Sequence, residues 1–368
     1  MRTGKCMALC LLALIACGKE DKEKKPAIPK EAIEISARTV ISQVSTVPAR
    51  SLWLDGKITV MRPSWKPDKF ITFWSSESSY MQTDCSTPWL ENNINKLQSS
   101  MAVIGKSIST QDGFTDGGQW FIGVHEIADQ KLVGFFHAES HWKNQSGAYK
   151  SIGVAYSTDK GRTWTPGNKI LSGDEPKPAT SANDGRSYGL GDGCVVWNSE
   201  RNSWICYYSG YCPDAYDFCI TMAESKDPEG AAGTWKKWDG TDFTVEGCNT
   251  ATGLGGVNKA IRPLHHMHGG NPSVMYNTER NEWMMVYHRW DPRVIAFTTS
   301  TDGVKCSDPI ELFDKTMEPG GAMYPNFISE DGDLTGGNTF RIYYSAEQGK
   351  YGDRKLCYRT VTLNDVKE

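Results

Sequence analysis

The chain has 368 residues, 39% of them hydrophobic and 11% aromatic, enough to bury a substantial core in one large domain. Its 36 glycines and 13 tryptophans suit many short strands joined by tight turns. A formal net charge of -4 offers no general attraction to a polyanion, which excludes nucleic acid as a partner and requires any acidic ligand to meet a local cluster of Arg and His.

At the N-terminus, Arg2 and Lys5 precede an apolar run, Met7 to Ala16, that is too short to span a bilayer. It ends in Leu14-Ile15-Ala16-Cys17, which resembles the lipobox of bacterial lipoproteins. The resemblance implies a signal peptide over 1–17, lipidation of Cys17, and an exported protein held at the outer membrane through its lipid, facing the periplasm or the cell exterior. The alternative is an ordinary secretory signal with a chance cysteine. Residues 18–36 read as a flexible tether, since Gly18 to Lys25 carries no apolar side chain and Pro26 and Pro29 extend it. A single, monomeric folded domain is expected over 37–368. Beyond the leader lie Cys85, Cys194, Cys206, Cys212, Cys219, Cys248, Cys306 and Cys357, an even number that permits disulfides in an oxidising compartment. Cys212 and Cys219 bracket a short loop and are the candidate local bridge. Cys194, Cys206 and Cys357 fall in strand-like runs and are expected to be buried thiols.

A repeat carries the fold. Phe70–Ser75, Leu132–His137, Trp204–Ser209, Trp283–His288 and Phe340–Ser345 are β-rich runs that close in an aromatic pair or near-pair followed by a small or polar residue. Upstream of each lies another strand, and Gly191–Trp204 parallels Gly270–Trp283 closely, with hairpin turns at Asn198–Asn202 and Asn277–Asn281. Downstream come third strands at Ile152–Ser157, Ile220–Ser225, Ile295–Ser300 and Leu356–Val361, with Ala102–Ser109 expected in that place in the first repeat. Irregular spacing between such meanders predicts an all-β, five-bladed β-propeller, with a sandwich as the architectural alternative. The turn Ser157-Thr-Asp159-Lys-Gly161-Arg-Thr-Trp164 fits S-x-D-x-G-x-x-W, with degenerate copies at Ser109–Gly113 and Ser300–Gly303. It resembles the Asp-box of sialidases and other propellers, and Ser225-Lys-Asp227-Pro with Trp235 resembles the equivalent turn of arabinanase- and xylosidase-like five-bladed glycosidases. In those families the Asp-box lies away from the active site, which implies structural roles for Asp159 and Asp302.

In a blade meander the start of the innermost strand and the end of the second strand lie on one face. That face is expected to collect Glu77, His137, Glu139, His141, Trp142, Tyr211, His288, Arg289, Asp291 and Glu347 from second strands, and Asp192, Asn271 and the neighbourhood of Tyr324 and Asn326 from innermost strands. Carboxylates, imidazoles and aromatics at one mouth suit sugar binding. Glycoside hydrolysis needs a general acid and a base or nucleophile. The expected acid is Glu139 and the expected base Asp192, with Glu77 able to replace either or to act as the third carboxylate that the resembled glycosidases require. Substrate binding is expected from His137, His141, Trp142, Tyr211, Asn271, His288, Arg289 and Asp291. Two other readings remain open: a polysaccharide lyase using His137, His141, Tyr211, Arg289 and Arg262 on a uronate, and a non-catalytic glycan-binding lipoprotein. No cofactor is expected. His265-His266-x-His268 is a candidate for a structural metal ion, since imidazole suits zinc-like ions, but it lacks the helical spacing of known motifs.

Overall fold

A computed structural model describes residues 28–41, 54, 56–76, 79–85, 102–103, 114–142, 147–180, 188–264, 268–347 and 354–365. After a short 3-10 turn (Lys30–Ala32), β1 (Ile33–Ile35) and β2 (Thr39–Val40), the chain runs through successive antiparallel meanders. The first comprises β3 (Thr59–Met61), β4 (Phe70–Ser76), β5 (Ser79–Cys85) and β6 (Ala102–Val103). The second is β7 (Gly118–Ala128), β8 (Lys131–His141), β9 (Ala148–Ser157) and β10 (Thr165–Leu171). The third is β11 (Tyr188–Asn198), β12 (Ser203–Cys212), β13 (Asp217–Ser225), β14 (Trp235–Trp238) and β15 (Phe243–Glu246). The fourth is β16 (Gly269–Asn277), β17 (Glu282–Arg289), β18 (Val294–Ser300) and β19 (Ile310–Phe313). In the last, β20 (Ala322–Ile328), β22 (Thr339–Glu347) and β23 (Arg354–Leu363) are joined by β1 and β2, both of which pair with β23. β21 (Thr335–Gly336) adds a short parallel pairing to β16.

Period-2 alternation sends one set of side chains to each flank of a sheet. In β12, Ile205 and Tyr207 join the core shared with the fourth meander, while Trp204, Cys206 and Tyr208 join the core shared with the second. The first and second meanders meet through Ile71, Phe73, Phe121 and Phe136. The fourth and last meet through Met275, Val286, Phe327 and Tyr344. Finally, Ile58, Val60 and Trp74 of the first meander pack on Ile328, Tyr343 and Leu356 of the last. Each meander is thus hydrophobic on both faces and buries both, at about 1.5–3 kcal/mol for each large side chain withdrawn from water.

Where first and last meanders meet, the polar groups of the axis are paired. Lys57 Nζ lies 3.0 Å from Asp333 Oδ2, with side chains only 2% and 1% exposed, and 3.2 Å from Ser273 Oγ. Asp333 Oδ1 accepts the Val60 N–H at 3.0 Å, and Asn326 Oδ1 accepts that of Ile58 at 2.8 Å. Three sheets are stitched together at this point. The turn after β9 is closed by its own side chains: Asp159 Oδ1 accepts the Thr163 N–H at 2.8 Å, Ser157 Oγ accepts that of Gly161 at 2.8 Å, and Gly161 takes φ +84°. Trp164 then packs on Phe121 at 4.8 Å between ring centroids.

Several expectations change. β1 lies inside the stretch read as tether, because Ile33 and Ile35 alternate with Glu34 and dock against β23, with Ile28 and Ala32 buried beside them. Ala102–Val103 is the fourth strand of its meander; the third is β5. No bridge joins Cys212 to Cys219, and both are buried free thiols, as are Cys194, Cys206 and Cys357. In the β12–β13 ladder Cys212 faces Asp217 and Cys219 faces Gly210, so the two cysteines are diagonal neighbours that share a small buried cluster as thiols. Cys17, Glu77, His265 and His266 lie outside the described residues.

Removing one partner of a buried ion pair leaves an uncompensated charge. Asp333→Ala is therefore expected to cost about 3–5 kcal/mol, read as a lowered denaturant midpoint; an unchanged midpoint would contradict the pairing. A second expectation concerns His125, wedged between Phe135 and Trp204 with its Nε2–H donated to Val195 O at 2.8 Å. Burial pushes its pKa down from 6.5 to about 4, against the raising effects of the Asp333 charge and the Val195 bond. The unfolded chain takes a proton below pH 6.5 that the native imidazole refuses, so His125 makes stability fall as pH drops from 6.5 toward 4. Comparing unfolding midpoints at pH 7 and pH 5 should show a smaller acid loss in His125→Gln than in the parent; equal losses would refute it.

Candidate active site

The innermost strands share a local distortion. Between Gly191 and Cys194, Gly270 and Ser273, and Met323 and Asn326, two residues of the inner strand oppose one of its neighbour. The first bulged residues, Asp192, Asn271 and Tyr324, have φ of 49°, 52° and 53°. Such left-handed conformations are tolerated by Asp and Asn and are strained for Tyr. Bulges re-aim side chains, and here they line a small cavity together with Gly56, Lys57 and Trp120. The preceding glycines are compulsory: a Cβ at Gly191 would run into His137 Nδ1, and one at Gly270 into Ser209 Oγ.

One face of β8 supplies the other half of the site, since His137, Glu139 and His141 alternate along the strand. His137 is buried, and its Nδ1 accepts the Asp192 N–H at 3.0 Å. The ring proton therefore sits on Nε2, which donates to Glu139 Oε1 at 3.3 Å. His141, with half its side chain exposed, places Nε2 2.9 Å from Glu139 Oε2. Lys150 stands directly opposite Glu139 in the β8–β9 ladder. Its Nζ lies 3.0 Å from Asp192 Oδ2 and 3.8 Å from Glu139 Oε1, so one ammonium joins carboxylates carried by two different meanders.

These contacts set the charge states. Burial works to raise the pKa of Glu139, but the hydrogen bond from His137, the Lys150 charge and the hydrogen bond from His141 outweigh it and hold the carboxyl well below the usual carboxylate range. Burial likewise opposes ionisation of Asp192, and the charge and hydrogen bond of Lys150 overcome it, lowering its pKa. Both carboxyls are thus ionised, and Glu139 is no standing acid in the substrate-free site. In chemical terms the arrangement offers two carboxylates, a bridging cation and an imidazole on one of them.

The structure brings Glu139, Asp192, His137, His141 and Asn271 together. Tyr211 is half-exposed outside the cavity lining, and His288 is fully buried, closed to a ligand. Trp142, of opposite parity, is buried with its indole N–H donated to Pro178 O at 2.7 Å. Arg289 also points the other way, donating from Nη1 to Glu311 Oε1 at 2.6 Å. Asp291 is exposed on the turn after β17, and Arg262 is exposed on a connection. Glu347, which occupies the ladder position of Glu139 in its own meander, is buried against Arg293 and Arg354. His268 Nδ1 faces Asp217 Oδ2 at 3.1 Å. Lys150 and Lys57 escaped the sequence reading. Lys150 could have been found by counting the register back from the β8–β9 hairpin, and Lys57 by aligning Gly56-Lys57 with Gly191-Asp192 and Gly270-Asn271.

No protein-family model matches the chain. A sialidase of Paraclostridium sordellii is 26% identical over 195 residues, an alignment spanning 50% of this chain and 45% of that one, so the chain matches less than half the length of this relative. Among solved structures, the α-L-arabinofuranosidase of Lactobacillus brevis has a TM-score of 0.51 at 14% identity, covering 85% of this chain and 92% of its own. The endo-arabinase of Bacteroides thetaiotaomicron has a TM-score of 0.50 at 13% identity, covering 91% and 99%. These likenesses are likenesses of fold: the chain is all-β, like these propeller-type glycoside hydrolases.

Because Lys150 touches both carboxylates, Lys150→Met is expected to raise the titration midpoints of Asp192 and Glu139 together, followed by carboxyl ¹³C shifts against pH. Midpoints equal to those of the parent would show that the ammonium does not set their charge.

Proposed function

We propose that the protein is a glycoside hydrolase acting on a poly- or oligosaccharide at the mouth of a five-bladed β-propeller, each meander being one blade. The blade count is supported by the cores, which run from each meander to the next and from the last back to the first. The activity rests above all on the convergence of ionised Asp192 and Glu139 on one ammonium, Lys150, at the side of the cavity that Asp192 and His137 line.

Hydrolysis of a glycosidic bond requires one group to protonate the departing oxygen and another to activate water. Asp192 takes a proton from the water as its oxygen bonds to the anomeric carbon. The bond from that carbon to the leaving oxygen breaks, and the leaving oxygen receives its proton from Glu139, which draws it from Nε2 of a doubly protonated His141 at 2.9 Å, leaving that ring a neutral imidazole. The acid is therefore the Glu139–His141 pair rather than Glu139 alone. His137 holds Glu139 in place through Nε2 and is itself oriented by the Asp192 N–H. A lyase would need cationic neutralisation of a uronate, and the arginines nominated for it are engaged or remote: Arg289 is paired with Glu311, and Arg262 is not among the cavity's lining.

A product screen against neutral and uronate-containing polysaccharides, reading reducing sugar and ultraviolet absorbance together, tests the reading. Reducing ends without new absorbance are expected. An unsaturated uronate chromophore would instead establish elimination, and binding without product a non-catalytic role. On a cleaved substrate, Glu139→Gln and His141→Ala should lose about 10²–10⁴-fold with an alkoxide leaving group and far less with an acidic phenol. Asp192→Asn should lose activity on both. The same loss on both substrate types in His141→Ala would remove it from the acid.

A further inference from the structure

We infer that Tyr211 and Trp290 form a stacking platform for a second sugar unit beside the catalytic cavity, an inference that rests on the glycoside-hydrolase reading above. The side chain of Ser209 is turned to the axis, where its hydroxyl donates to Asp192 O at 3.0 Å and accepts the Asn271 N–H at 3.0 Å. Tyr211 lies two positions further along β12, so it leaves the same face of the strand one step nearer the solvent. It is 50% exposed, one of very few large hydrophobic side chains so placed among the described residues.

Trp290 makes the matching step in the neighbouring meander, two positions beyond His288. Its ring packs edge-on against His288 with centroids 4.5 Å apart. It also covers the space above Gly270, where a Cβ would lie 3.5 Å from the indole Cζ2 and would run into Ser209 Oγ. The absent side chain at Gly270 is what lets this strand close on Ser209, two positions before Tyr211 in β12. The two aromatics are braced to each other through the backbone: Asp217, opposite Cys212 in the β12–β13 ladder, pairs with His268 Nδ1 at 3.1 Å, and the His268 carbonyl accepts the Trp290 N–H at 3.0 Å.

The layer beneath favours an apolar contact. His288 is fully buried with neither ring nitrogen hydrogen-bonded. Burial, with the positive charges of Arg293 and Arg354, pushes its pKa down to about 3, so the imidazole under Trp290 is neutral. An aromatic face over uncharged support suits the C–H face of a pyranose or furanose, with the Asp217–His268 pair at the edge for hydroxyls. Tyr211 occupies in the third meander the rung that Glu139 occupies in the second. A glycan leaving the cavity lined by Asp192 toward the third and fourth meanders therefore runs across Tyr211 to Trp290. The site is built for a chain of at least two sugars.

The test uses the Asp192→Asn protein, which binds without turnover, in calorimetric titrations with arabino-, xylo-, galacto- and galacturono-oligosaccharides of one to six units. For the sugar that binds, affinity is expected to rise about tenfold from monosaccharide to longer chains. Adding Tyr211→Ala or Trp290→Ala should abolish that rise while leaving monosaccharide affinity unchanged, and Trp290→Phe should restore it, which separates stacking from lost packing on His288. A chain-length rise undiminished in both alanine variants overturns the platform alone. Failure of every saccharide to bind the folded protein overturns the hydrolase reading and the platform with it.

Discussion

An ammonium and a carboxylate, Lys57 and Asp333, face each other at 3.0 Å where almost no solvent reaches, and the architecture closes around them. Lys57 belongs to the entry of β3, Asp333 to the turn after β20, and Ser273, which also receives the ammonium, to β16. Neither charge is tolerable alone in such surroundings. First, fourth and last meanders must therefore arrive together, although they are far apart in sequence. The same residue floors the cavity, so the interaction that closes the ring also gives the site its base.

Above that floor, the site is governed by one cation shared between two anions. Asp192 and Glu139 come from different meanders, and bringing them close would be repulsive without Lys150 and the two imidazoles. The backbone is distorted in the same place: Asp192, Asn271 and Tyr324 all take positive φ within bulges, a strained conformation for Tyr324. Strained backbone and clustered charge at one end of a well-packed scaffold are what binding and chemistry require, and neither is needed for stability.

Much of this was legible before any coordinates. The aromatic-pair repeat located the second strand of every meander, and the end of that strand in the second meander drew attention to His137, Glu139 and His141. The Asn-rich hairpins were read from turn chemistry, and Asn202 and Asn281 do take positive φ. The errors have physical causes. Trp142 and Arg289 were grouped with the site because they adjoin its residues in sequence, yet a strand turns neighbours to opposite faces. Glu139 was read as the general acid, and the charge partners that hold it ionised in the substrate-free site, Lys150 above all, come from a neighbouring strand. β1 was hidden because a highly charged stretch masked three alternating residues whose partner strand lies at the far end of the chain.

By itself, then, the sequence determined the all-β class, the meander repeat, the turns and the strand faces on which polar groups gather, because each follows from local periodicity and backbone preference. Tertiary structure alone decided that Lys150 bridges two carboxylates, that Lys57 meets Asp333, that Glu347 is tied up with Arg293 and Arg354, and that β1 completes the last sheet. Those outcomes depend on register and on which meanders adjoin at the axis. They are through-space pairings of charge and hydrogen bond, and no pattern within a single strand encodes them.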